Sequence, residues 1–213
     1  MAFSTYTALK AAVADYLARS DLTAAIPDFI TLAEAKFNRS LRCIQMETRS
    51  TTTVNLSNSE PEFITLPGDF QTMRRIRLSS VDGKPRLEFL NGTQADEYRY
   101  GRDNVTGQPQ FFTVMGTELE LLPTPDSAYT VEMVYRAYIP ALSSNSTNWL
   151  LTLAPDAYLY GALMEAQPYL KDEPRISVWS AGLSSAVDEL NRLAHDQTHG
   201  SGPLAIRMTG VTP

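Results

Sequence analysis

Residue types that commonly carry chemistry are scarce in this chain. It has one cysteine, Cys43, and two histidines among 213 residues. A single cysteine excludes an intramolecular disulfide and any zinc cluster built from cysteines. His195 and His199 have a four-residue spacing that metal-binding helices use, but Asp196 stands where the zinc-protease motif has glutamate. We favour a solvated helix end for this pair, with a metal site as the alternative, and expect no cofactor.

Motifs of common catalytic sites are missing as well. The sequence contains no G-x-S-x-G and no glycine-rich phosphate loop, which excludes the usual serine-hydrolase and nucleotide-binding sites. Asp69, Asp82, Asp103 and Asp126 fall in predicted turns, where aspartate forms local backbone hydrogen bonds. A glycosidase with paired carboxylates is the alternative explanation for them. We therefore expect a protein that is not an enzyme.

Positive net charge and long apolar runs are also absent. The formal net charge is −6, whereas proteins that hold the DNA backbone tightly are usually basic. DNA could pass such a surface without being bound. No apolar run approaches the roughly 20 residues of a membrane span, and the N-terminus lacks the basic region of a signal peptide. We expect a protein of a cytoplasm-like compartment, with no membrane partner.

Helical periodicity is present towards both ends of the chain. Apolar residues three and four apart predict a helix over 5–19 and a second from Pro27 to Ile44. The pattern returns at Pro155, and Pro168 should kink or end that helix because it lacks an N–H group. A last helix should follow Pro174. The residues predicted to face inward on it are Ile176, Trp179, Leu183, Ala186, Leu190 and Leu193.

The middle of the chain has strand character. It is rich in threonine and β-branched residues, with turn signals at Pro67-Gly68-Asp69 and Asp82-Gly83. A short helix is predicted at 92–99, where strand character is lost. The predicted strands are 49–56, 62–66, 71–79, 85–90, 110–115, 118–122 and 129–138.

This order predicts an α+β fold. Two N-terminal and two C-terminal helices, in residues 1–47 and 149–198, should form a four-helix bundle. Residues 48–148 should form an inserted antiparallel β domain, either a sandwich or barrel-like. Residues 199–213 lack periodicity and should form an extended C-terminal tail.

Two groups of residues are candidates for a subunit interface. In a regular strand, Arg75 and Arg77 share a face with Met73, and Arg74 lies on the opposite face. Arginines need acidic partners if they are buried, so the three arginines either pair with acidic groups on a neighbouring subunit or remain solvated. The second group lies close by in the sequence and combines two tyrosines with an arginine. Such a mixture is typical of protein interfaces, although tyrosines are also common in β cores. The predicted interface residues are Arg74, Arg75, Arg77, Tyr98, Tyr100 and Arg102.

Four segments of the sequence, taken in their order along the chain, resemble those of a known protein family. They are LPGDF, MRRIRL, GQPQFFTVMGTELELLPTPDSAYTVEMVYRAYIPAL and NWLLTLAPDAYLYGALMEAQPYLKDE. Their order resembles the head-to-tail adaptor, or connector, proteins of tailed bacteriophages, the group that includes the tail tubular protein A type. The resemblance runs from about Ala8 to Asp196 and implies a helical bundle with an inserted β domain.

The resemblance also implies a role. Such adaptors form a ring, usually of twelve copies, below the portal protein in the virion. The ring extends the channel for double-stranded DNA and docks a tail or nozzle protein, after assembly in the host bacterial cytoplasm. The helical part and the C-terminal segment would engage the portal, with alternate apolar residues of that segment in small pockets, and the β domain would face the phage tail. The candidate portal-docking residues are Leu204, Ile206, Arg207 and Met208.

Two other functions stay open at this point. A carbohydrate- or receptor-binding tail module would use the β domain and exposed Tyr98 and Tyr100, and a trimer would favour it. A virion-associated hydrolase is the other, although the sequence shows no pairing of a nucleophile with a base.

Overall fold

The computed structural model describes residues 3–19, 21–100, 102, 105–170 and 174–199. Within them the helices are α1 Tyr6–Leu17, α2 Ile26–Ser40, α3 Gly92–Arg99, α4 Trp149–Leu153, α5 Pro155–Glu165 and α6 Ile176–His199. The strands are β1 Glu47–Thr53, β2 Phe63–Thr65, β3 Phe70–Leu78, β4 Glu88–Phe89, β5 Thr106–Gly107, β6 Phe111–Met115, β7 Glu118–Leu122, β8 Thr124–Pro125 and β9 Thr130–Ala137.

The chain is α+β, as predicted, and it divides into two compact units. The helical unit contains the described residues up to Gln45 and those from Ile139 to His199. The β unit contains Met46–Tyr138, including α3. No described helix is both long and apolar enough to cross a lipid bilayer.

Packing in the helical unit is centred on α5, which contacts α1, α2, α4 and α6. Gly161 allows the close approach of α5 to α2, because a Cβ atom at this position would lie 2.7 Å from the Phe37 ring. Asn148 caps α4 by accepting a hydrogen bond from the Leu151 N–H group. The two predicted helix pairs are present, and the regular four-helix bundle stays a prediction.

Helix α4 precedes Pro155 and was not predicted. Three further features of the helices differ from or refine the prediction. Helix α2 ends at Ser40, before Ile44, because Leu41 has extended backbone angles. Helix α5 ends at Glu165, and Pro168 lies in the short 3₁₀ turn that follows it. On α6, Leu193 is exposed and Ala194 is buried instead. A stripe with a period of 3.6 residues needs a step of four after Leu190, which moves the buried position to 194.

The β unit contains three sheets. The first, called here the β9 sheet, has the order β1-β9-β3 and is antiparallel throughout. The second, the β7 sheet, has the order β2-β7-β6-β4, and β5 and β8 form a separate pair. Apolar side chains of the β9 and β7 sheets share one core that includes Ile76, Leu119, Leu121, Val131 and Met133.

The described strands of the β unit form no closed barrel, so the barrel-like alternative is not confirmed, and the sheets are not purely antiparallel. Among the described strands, β3 and β4 lie at the edges of open sheets. The pairs β4–β6 and β5–β8 are parallel. A parallel pair needs a long crossover connection, and the chain segment containing α3 supplies it between β4 and β6. The strand predicted at 85–90 shortens to Glu88–Phe89.

The LPGDF segment forms the turn that begins β3. The Phe70 N–H group donates to the Pro67 carbonyl at 2.9 Å. The Tyr135 hydroxyl donates to the Asp69 carboxylate at 2.9 Å, and the Tyr138 N–H group donates to the Asp69 carbonyl at 2.8 Å. Burial raises the pKa of Tyr135 to about 12. These contacts tie the start of β3 to the end of β9.

Candidate functional site

The arginines of β3 have different surroundings. Arg77 and Arg49 approach the two carboxylate oxygens of Glu132, each at 2.7 Å. The Glu132 side chain is only 2% exposed. The hydrogen bond from Arg49 is the main cause that lowers the pKa of Glu132. Arg77 therefore has an acidic partner within its own β unit, because β9 lies between β1 and β3.

A bulge changes the predicted face pattern of β3. The pairing with β9 shifts register between Met73 and Arg75, and Arg74 is the extra residue. Met73 consequently packs against the core with Ile76, and not on the face of Arg75 as predicted. Arg74 is exposed, where its Nε atom donates to Glu47 at 3.0 Å, so it does not share the core face of Ile76.

Arg75 is the exposed β3 arginine that has no ion-pair partner among the described residues. It lines a groove of about 680 Å³ between β3 and β4, here called the β3–β4 groove. Arg74 and Arg86 also line this groove. Its apolar lining comes from Phe70, Met73, Ile76, Leu87, Phe89, Phe112 and Val114. The groove thus combines an apolar floor with a basic rim.

The second predicted group lies around α3. A capping box of Asn91 and Gln94 starts this helix. The Tyr98 ring packs on Phe111 at 5.2 Å, and the Arg102 guanidinium lies 4.4 Å from the Tyr98 ring. Tyr98 and Arg102 line a different depression from the β3–β4 groove.

Tyr100 follows α3 as its C-terminal cap residue and is 89% exposed. Tyr98 and Arg102 are therefore brought together, whereas Tyr100 is presented to solvent. The prediction that all three take part in a subunit interface stays a prediction.

Residues that sequence reasoning missed include the ion pair of Arg99 with Glu120. Glu120 is buried, on the β7 face opposite Leu119 and Leu121. The alternation in ELELL places Glu120 on that second face, and this is the only signal in the sequence. The pair joins α3 to the β7 sheet.

A buried polar network in the helical unit was also missed. The Glu34 carboxylate accepts hydrogen bonds from the Leu142 N–H group at 2.9 Å and the Tyr158 hydroxyl at 3.1 Å. Asn148 Nδ2 donates to the Tyr158 hydroxyl at 2.6 Å and to the Pro140 carbonyl at 2.8 Å. Burial raises the pKa of both Glu34 and Tyr158. The network ties the segment before α4 to α2 and α5.

The remaining predicted residues are the histidine pair at the end of α6 and the candidates for portal docking that follow it. His195 is exposed on α6, and its side chain lies 3.9 Å from Asp196. The side chain of His199 and the docking candidates Leu204, Ile206, Arg207 and Met208 lie outside the described residues. Within the described part of the chain, no three His, Cys, Asp or Glu side chains are placed to hold a metal ion.

Comparisons with known proteins identify a family. A search of curated proteins found no match. The model of the family described as SU10 adaptor protein matches residues 4–207, which is nearly the whole chain. The match does not identify the tail tubular protein A subgroup, so membership of that subgroup stays a prediction. The chain belongs to the SU10 adaptor protein family, and it is thus a bacteriophage adaptor, a structural protein of the virion.

Proposed function

We propose that this adaptor forms a ring of twelve copies below the portal, extends the DNA channel and docks a tail or nozzle protein. The observation that carries this proposal is the family match over residues 4–207. Adaptors of this family associate with portal and tail components, and a closed ring is the usual way in which identical subunits surround an axis. We place the complex in the virion at the head–tail junction, after assembly in the host cytoplasm.

The charge of the chain suits a channel that DNA traverses. The formal net charge is −6, and an acidic surface gives little of the phosphate binding that would hold DNA in place. Double-stranded DNA is therefore a passing partner in this proposal, without specific binding.

The surface residues divide into two roles. We assign contacts between neighbouring copies to the β unit, where Arg75 and Tyr100 are exposed. Arg74, Arg77, Tyr98 and Arg102 lie beside them but also contact residues of their own chain. We assign portal contacts to the segment after residue 199. Its candidate residues are Leu204, Ile206, Arg207 and Met208.

The test is the mass of the assembly, measured by light scattering after size exclusion. The protein is measured alone and mixed with the portal protein from the same genome. We expect a complex with one adaptor per portal subunit, lost when residues 200–213 are removed. A variant with the same residues in scrambled order is the matched control, and it should also fail to bind.

Two results would contradict the proposal. The first is that adaptor and portal stay separate at all concentrations and salt conditions. The second is a closed trimer of the adaptor alone that binds glycans, which would favour a receptor-binding module of the tail. A monomer that joins only the portal would support a ring that forms on its template.

A further inference from the structure

The β3–β4 groove lies between two strand edges. Residues Thr72–Arg75 pair with β9 on one side of β3. On the other side of β3, the described backbone contacts begin at Ile76, whose carbonyl accepts from the Leu87 N–H group at 3.2 Å. The two edges are joined at that end by the bridge between Arg77 and Arg86. The unpaired N–H and C=O groups of an edge strand can form hydrogen bonds with another chain.

The chemistry of the groove specifies its occupant. Phe89 stands at its edge with 60% of its surface exposed, and its ring packs on Phe112 at 5.5 Å. Arg75 and Arg86 on the rim are exposed and have no ion-pair partner among the described residues. Exposed aromatic and arginine side chains are enriched at protein interfaces. An acidic segment that also carries an apolar side chain complements this lining.

Such a segment lies at the opposite edge of the same β unit. Strands β1 and β2 are the far edges of the β9 and β7 sheets, and residues 55–62 connect them. This connection, called here the acidic loop, has the sequence NLSNSEPE, and no lysine or arginine occurs between Arg49 and Arg74. Leu56 is 45% exposed, and Glu60 is exposed.

The acidic loop is held in shape by its own side chains. Asn55 Oδ1 accepts from the Ser57 N–H group at 3.0 Å, and Asn55 Nδ2 donates to Asn58 at 3.2 Å. A loop that is ordered before binding loses less conformational entropy when it docks. This favours the loop as an interaction element.

We propose that the acidic loop of one copy of this chain docks in the β3–β4 groove of the next copy. Groove and loop lie at opposite edges of one unit, so each copy offers one of them to each neighbour. Contacts of this head-to-tail kind generate a ring when the rotation between copies closes. Leu56 enters the apolar floor, and Glu60 pairs with Arg75 or Arg86. The inference rests on the proposed ring, and it names the surfaces that build it.

The test compares charge variants in the light-scattering assay with the portal. The groove variant is Arg75→Glu with Arg86→Glu, and the loop variant is Glu60→Arg. Each is expected to weaken assembly about tenfold or more, because like charges then meet at every interface. The chain that carries all three changes should regain assembly. Lys84→Glu and Glu97→Arg are controls at exposed positions of the β unit outside groove and loop, and they should assemble like the parent.

A cross-link gives a readout that a folding defect cannot imitate. A chain with Glu60→Cys and Arg75→Cys should form a covalent ladder of oligomers when the assembled complex is oxidised. Each single cysteine variant should give none. The native Cys43 is buried and does not interfere.

The outcomes separate this inference from the proposed function. If the parent assembles and the groove variant assembles equally well, the groove is not the interface, while the ring stands. If the triple variant fails to regain assembly and no ladder forms, the acidic loop does not occupy the groove and the inference is overturned. If the parent never assembles, with or without the portal, both proposals fail.

Discussion

Removal of the Glu34 carboxylate should destabilise the helical unit by several kcal/mol. Glu34→Ala deprives two buried donors, the Leu142 N–H group and the Tyr158 hydroxyl, of their acceptor. An unsatisfied buried donor costs about 1–3 kcal/mol, so the two together cost about 2–6 kcal/mol. This is a large fraction of the roughly 5–15 kcal/mol by which a domain is stable.

Two other substitutions should have smaller effects because they leave fewer groups unpaired. Tyr158→Phe removes two hydrogen bonds, but Glu34 keeps the Leu142 N–H group and Asn148 keeps the Pro140 carbonyl. We expect a loss of about 1–2 kcal/mol. Glu34→Gln retains the accepting oxygen, so it should destabilise least of the three.

The same carboxylate gives a pH dependence with a defined sign. Burial raises the pKa of Glu34 above its ordinary value of 4.5. The folded chain therefore holds this proton to a higher pH than the unfolded chain. The stabilisation from this group is complete below pH 4.5 and is lost as the pH rises through the raised pKa. Parent stability relative to Glu34→Gln should consequently fall as the pH rises through this window.

The assay is urea unfolding followed by tryptophan fluorescence. Both tryptophans, Trp149 and Trp179, lie in helices of the helical unit, so fluorescence reports on that unit. Comparison of the parent with the variants at several pH values gives the order of their stabilities and the sign of the pH dependence. A Glu34→Gln variant as unstable as Glu34→Ala would refute the reasoning, as would a parent that gains stability over Glu34→Gln on raising the pH.

Two further predictions concern packing and the turn before β3. Gly161→Ala should destabilise the helical unit by about 1–3 kcal/mol by overpacking, because the new methyl group would meet the buried Phe37 ring. Gly182→Ala is the matched control, because the ring that a methyl group would meet there belongs to Tyr160, which is only half-buried and can move aside. Urea unfolding followed by fluorescence compares the two variants. Equal losses of stability would contradict the packing argument. Tyr135→Phe and Asp69→Ala should each cost about 1 kcal/mol, by loss of their 2.9 Å hydrogen bond. Thermal melts followed by circular dichroism would test this, and the double variant should lose less than the sum of the two losses.

Local patterns in the sequence predicted most elements of the fold. The helix at 92–99 was predicted with its observed bounds from the loss of strand character alone, and the structure adds the Asn91 cap that starts it. The predicted turns at Pro67-Gly68-Asp69 and Asp82-Gly83 depend on residues next to each other in the chain. Gly83 has a positive φ of 76°, which glycine adopts without strain.

The rest depended on contacts between distant parts of the chain. Glu34 and Tyr158 are 124 residues apart, and no periodicity links them. The partner of Arg77 is Glu132 on β9, and the bulge at Arg74 reverses the face on which Met73 lies. The position of a bulge follows from how β3 is paired with its neighbour, so a strand pattern read alone assigns these faces incorrectly.

This difference decides which variant can test the interface. A test chosen from the sequence would reverse both Arg75 and Arg77, with the fold expected to stay intact. Arg77 contacts the buried carboxylate of Glu132 at 2.7 Å, so a glutamate at position 77 would place two like charges together and disturb the fold. Loss of assembly by that variant would not distinguish an interface from a folding defect. Arg75 and Arg86 have no such partner among the described residues, and their reversal therefore reports on the contact between copies.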